Sequence, residues 1–162
     1  MSVNKETRIK IFSELYEVEA SLFATEDGQI DFFENGDSTL EPEIMEINSV
    51  GSFCDDGERI TVSYEETEAT GMQGSLTSIT FLKSDPHVVT MTRSGAVSAT
   101  LVFEEGKRHH CIYKTPFMPF EICVHTTKVI NTILSENSLA LDYVVEIRGA
   151  KAERTKFNMQ LL

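Results

Sequence analysis

Residues 88–127 read VVTMTRSGAVSATLVFEEGKRHHCIYKTPFMPFEICVHTT. Apolar and polar side chains alternate through most of this stretch, and the alternation breaks only at Ser94-Gly95, Glu105-Gly106 and Pro116 to Pro119. Alternation with period two marks strands that are buried on one face, and Gly- or Pro-containing pairs between such runs mark tight turns. The stretch therefore holds strands over 88–93, 96–103, 107–115 and 120–129. Ser94-Gly95 is read as a two-residue hairpin loop in which Gly supplies the positive φ.

The flanking sequence carries more of the same pattern. Residues 76–82 form a Thr-rich strand, followed by a turn at Ser84-Asp85-Pro86-His87, where proline has no N–H to give to a ladder. Residues 44–54 and 58–66 form a hairpin around Asp55-Asp56-Gly57. Residues 139–148 and 154–161 supply two further strands, and 7–20 is read as a long one despite some helical spacing. Helix-period segments are scarce; 128–135 is long enough for one turn. Nine or ten short strands with turns every 8–12 residues specify a single all-β domain over 1–162, either an antiparallel sandwich or an up-and-down barrel. The short meander turns favour a barrel of 8–10 strands, which also removes exposed edges. Residues 21–42 interrupt the pattern with Asp27-Gly28 and Asn35-Gly36 and form an acidic excursion.

Composition narrows the function classes. The net charge is −12, and the first 70 residues carry 18 acids against 4 bases. Such a surface repels phosphate backbones, so nucleic acid and anionic membranes are not expected partners. No apolar run approaches the length of a membrane span, and the start lacks the apolar core of a secretory signal. Three cysteines without a CxxC pair fit a reduced, cytoplasmic location.

Catalytic patterns are absent. There is no GxSxG and no phosphate-binding glycine loop opening a helix. The pairs Asp55-Asp56, Glu65-Glu66 and Glu104-Glu105 sit at strand ends or turns and are expected to be solvated. His109 and His110 are adjacent in a strand and face opposite sides, so they cannot share an ion. If Cys111 lies opposite Ile122, Cys123 lies opposite His110 on the outer face with His125 diagonal to it, but zinc-ligand spacing is missing. No cofactor is implied.

Alternation also sorts side chains into an inner face. Val89, Met91 and Arg93 share one row with His87. Val97, Ala99, Leu101 and Phe103 form another. His109, Cys111, Tyr113 and Thr115 align, as do Phe120, Ile122, Val124 and Thr126. Leu139, Leu141, Tyr143, Val145 and Ile147 form a fifth row, and Ile60, Val62 and Tyr64 a sixth. Arg93 thus ends an apolar row, and a buried guanidinium needs a partner. Glu66 shares parity with Tyr64 and can supply it. Three readings stand: a structural polar plug at the barrel end, a site for a small, partly apolar or anionic ligand using Arg93, Tyr113, Thr126, Tyr64 and Glu66, or an arginine solvated beside its turn. A different class of function, a packed-core interaction or homodimerisation module acting through its acidic N-terminal part, accounts for the charge asymmetry.

Several segments resemble the YwiB-like family of uncharacterised bacterial proteins. These are Arg93-Ser94-Gly95-Ala96-Val97, Phe103, Tyr113-Lys114-Thr115, Thr126 with Lys128, Leu141-Asp142-Tyr143, and ITVSYEE at 60–66. The resemblance runs from residue 44 to the C-terminus. It implies a calycin-type, lipocalin-like β-barrel and no activity. The chain departs from the family pattern at Met118, where glycine is usual, and in a longer excursion over 21–42.

Overall fold

The structure is a computed structural model that describes residues 3–18, 42–68, 72–147 and 152–162. The acidic excursion expected over 21–42 lies outside the described residues except for Pro42. Ten strands follow one another along the chain: β1 (Val3–Val18), β2 (Glu43–Asp55), β3 (Arg59–Glu65), β4 (Leu76–Leu82), β5 (Asp85–Ser94), β6 (Ala99–Glu104), β7 (Arg108–Lys114), β8 (Pro119–Thr132), β9 (Ser138–Ile147) and β10 (Ala152–Leu161). A single helical turn, α1 (Ile133–Glu136), joins β8 to β9. Its C-cap, Asn137, takes the left-handed conformation with φ 57°, which asparagine tolerates better than most residues.

All ten strands form one antiparallel sheet in the order β6-β5-β4-β3-β2-β1-β10-β9-β8-β7. Apart from β6 and β7, each strand pairs with its neighbour in sequence, and the first strand pairs with the last through Ile9↔Leu161 to Val18↔Ala152. The two edges of the sheet are therefore consecutive strands, β6 and β7. They meet where Ser98 and Lys114 exchange backbone hydrogen bonds of 3.0 and 2.8 Å, and the turn between them is tied to β8, Gly106 N–H donating to the Thr126 carbonyl at 2.9 Å. The result is an up-and-down barrel, closed except for a short seam between β6 and β7. Among the described residues no helix is long and apolar enough to cross a membrane.

The inner rows meet in one continuous apolar cluster. Ile60, Val62, Ile79, Val89, Met91, Phe103, Val124 and Leu139 are inaccessible to solvent. Each such side chain contributes roughly 1.5–3 kcal/mol by leaving water. The centre of the barrel is thus filled by the protein's own side chains, as an interior of this kind allows.

Several details depart from the alternation pattern. The expected turn at Ser84 to His87 is shorter: Lys83 and Ser84 form it, and β5 starts at Asp85. Pro86 is accommodated because the β4–β5 ladder shifts register there, between Thr80 and Leu82. The loop after β5 is longer than two residues, since β6 begins at Ala99, although Gly95 does have the expected positive φ of 116°. A bulge at Thr127 switches the parity of β8, so that Thr126 and Val129 both face inward. His87, at the outer end of its row, is exposed.

Candidate functional site

At one end of the barrel the inner face turns polar. This end collects the C-terminal ends of β3 and β5 and the N-terminal end of β4, so that Tyr64, Arg93 and Thr77 lie side by side on the inner face. The register pairs Tyr64 with Thr77 and Thr77 with Arg93. Glu66, one residue beyond β3, keeps the parity of Tyr64. Its backbone N–H donates to the Ser75 carbonyl at 2.8 Å, which draws the chain inward and buries the side chain.

Glu66 is 5% exposed, so the expectation that the Glu65-Glu66 pair is solvated holds for Glu65 only. The Thr77 hydroxyl donates to Glu66 Oε1 at 2.6 Å. Arg93 Nε lies 3.9 Å from the same oxygen, close enough for an ion pair but too long for a hydrogen bond. Glu66 Oε2 and Arg93 Nε are buried and make no hydrogen bond. Leaving such a group unsatisfied costs about 1–3 kcal/mol.

Tyrosines surround this pair. Burial disfavours the charge of Arg93, but Tyr143, Tyr113, Tyr64 and Glu66 outweigh it and hold the guanidinium pKa above its ordinary value. Tyr64 is pushed far up, first by burial and then by the Glu66 carboxylate. Tyr143, from β9, is also raised by burial, and its ring packs on Phe103 with centroids 4.6 Å apart. The Tyr113 hydroxyl donates to Met72 Sδ at 3.3 Å.

Of the five residues expected at a ligand site, Arg93, Glu66, Tyr64 and Tyr113 are brought together. Thr126 is fully buried with an unpartnered hydroxyl. It lies across from Tyr143 in the β8–β9 ladder. Thr115 stabilises the turn before β8, donating to the Met118 carbonyl at 2.8 Å. Two participants were not anticipated. Thr77 becomes visible only once the β4–β5 register is known. Ser75, whose hydroxyl accepts from Val97 N–H at 3.0 Å, has no signal in the sequence.

Beside Glu66 the surface opens into a cleft of about 630 Å³, bordered by Glu65, Glu66, Glu68, Gln73 and Ser75 among others. Among the described residues no lysine or arginine borders it. Elsewhere, His110 does pair with Cys123, and His125 pairs with Arg108. Among the described residues no group of three His, Cys, Asp or Glu side chains could hold a metal ion.

The model of the family described as "Domain of unknown function (DUF1934)" matches residues 29–159. A crystal structure of the ywiB protein from Bacillus subtilis superposes with a TM-score of 0.61 at 17% identity, covering 96% of this chain and 92% of that one. No curated protein matches. At that identity the structural likeness speaks for the fold alone, and it agrees with the barrel described above. The chain belongs to the DUF1934 family, the YwiB-like proteins with a β-barrel fold.

Proposed function

We propose that this barrel is a binding protein that takes a small, partly apolar ligand at the polar end of its interior. The observation that supports this reading is the Arg93–Glu66 pair: one donor and one acceptor are buried without a hydrogen bond, and Glu66 borders a cleft. A polar plug serving only structure is expected to satisfy both atoms internally. The apolar centre is filled, so a ligand enters no deeper than the tyrosines. Tyr64, Tyr113, Arg93 and Glu66 supply its polar contacts, and Thr126, deeper in the same face, lies beyond its reach. No cofactor takes part. The test is native mass spectrometry on gently purified protein against the denatured mass. An added mass that leaves on denaturation, and is missing from Arg93→Ala, supports the reading. A clean mass at high protein concentration, unchanged after incubation with a metabolite extract, sinks it.

A second reading, homodimerisation, is favoured by the turn between β7 and β8. Phe117 is 95% exposed, and Met118 and Ile112 are more than half exposed. Apolar side chains clustered this way mark association surfaces. The partner in this reading is a second copy of the chain. The same native spectrum reads the dimer directly, and Phe117→Ser should return it to monomer.

A further inference from the structure

The two oxygens of Glu66 stand in different surroundings. Oε1 receives the Thr77 hydroxyl and faces Arg93, on the barrel side. Oε2 has no partner, and the side chain is 1% exposed. Glu66 borders the cleft, and among the described residues the other titratable groups on that border, Glu65 and Glu68, are also acids. Arg93 is already balanced by Glu66, so an anion entering here meets a compensated cation and two further carboxylates. A cation meets Glu65 and Glu68, which no base among the described residues on that border balances, and at Oε2 an acceptor without a hydrogen bond. Leu76 on the rim offers apolar surface to a stem behind the charged head.

We infer that the ligand of this site is an organic cation, with an ammonium head that donates to Glu66 Oε2 and a short apolar stem. This rests on the binding reading above and narrows it: the unassigned charge of the ligand is positive. Selectivity comes from Glu66, while Glu65 and Glu68 raise the local concentration of cations. In the complex a charge-assisted hydrogen bond replaces the missing one at Oε2.

The experiment uses a matched pair of probes, butylammonium and butyrate, titrated into the full chain and followed by backbone amide NMR shifts. Butylammonium is expected to move the Glu66, Ser75 and Thr77 amides along one saturable curve, and butyrate to leave them in place. Glu66→Gln should weaken butylammonium at least tenfold, and the double variant Glu65→Gln/Glu68→Gln less than threefold. Equal or tighter binding of butyrate overturns the inference. So do butylammonium shifts scattered over surface carboxylates, or equal weakening by the rim variants. If Glu66→Gln does not fold, the wild-type shift map and the butyrate comparison still decide. An anion found by native mass spectrometry and lost in Arg93→Ala would leave the binding reading standing and remove this one. A clean native mass together with silent probes would remove both.

Discussion

Arg93 and Glu66 show how far side-chain parity carries. Counting by twos from Val89 and Met91 places Arg93 inside, and counting from Tyr64 places Glu66 beside it. The structure puts them 3.9 Å apart. What parity misses is Thr77, because a partner across a ladder needs the register, and a Thr-rich strand gives no clue to which threonine is used. Removing one member of the pair leaves the other charge buried, so Arg93→Met should destabilise the barrel by about 3–5 kcal/mol in urea unfolding. Adding Glu66→Gln should recover at least ~1 kcal/mol relative to the sum of the single effects, because the two groups share one interaction. Strict additivity would mean the pair is not coupled. Gly51 is a second residue-level case. Nothing around it in sequence marks it, yet a Cβ there would collide with the Ser63 carbonyl oxygen and come within 2.5 Å of Ile9 Cδ1. Gly51→Ala should cost roughly 1–3 kcal/mol, the range for overpacking a tight site, and a neutral result would show that β2 and β3 can separate freely.

At the scale of elements, β8 is the instructive strand. Its first half follows the expected row, with Ile122, Val124 and Thr126 inside. The Thr127 bulge then moves Val129 inside as well, a switch that alternation alone cannot anticipate because a bulge has no composition signal in these residues. Before the bulge, the outer face of β8 carries Cys123 and His125. His125 stands opposite Arg108, which makes a bidentate ion pair with Glu146 at 2.9 and 3.1 Å. Partial burial, and then the Arg108 charge, hold the imidazole pKa below its ordinary 6.5, while Glu146 acts in the opposite sense. The folded chain therefore binds this proton less readily than the unfolded chain. The associated stability is fully present above pH 6.5 and falls as pH drops through and below that value. Unfolding midpoints measured between pH 7.5 and 5.5 should decline in the wild type and decline less in His125→Gln. Equal slopes would place the titration elsewhere. Asp55 and Asp56, whose carboxyls are lowered by hydrogen bonds with Lys83 and with the turn amides, lose their contribution only at more acid pH, so the two windows separate.

At the scale of the whole molecule, the number of strands and their meander order are readable from turn spacing alone. The closure is not. Short turns say that neighbours in sequence pair, but they leave open which strands form the final seam. The structure closes β1 on β10 with a long ladder and leaves the looser seam between β6 and β7, two strands already joined by the Glu105-Gly106 turn. That arrangement has a thermodynamic reason. A covalent turn holds β6 and β7 together cheaply, whereas the chain ends have no such link and need hydrogen bonds and buried side chains to stay joined. Deleting residues 159–162 removes the pairs Ile9↔Leu161, Lys10↔Gln160 and Ile11↔Met159. It also uncovers Ile9 and Ile11, which are 1% and 2% exposed in the intact barrel. Losing Met159 and Leu161 from the core costs on the order of 2–5 kcal/mol each, and the sum approaches the 5–15 kcal/mol that holds a domain of this size folded. The truncated chain should therefore lose its cooperative melt and bind a hydrophobic dye. Deleting residues 1–6 at the other end of β1 is the control. Val3 to Glu6 are exposed and pair with β2 only, so this chain should melt within a few degrees of the intact one. If both truncations melt alike, the β1–β10 ladder is not what closes the barrel.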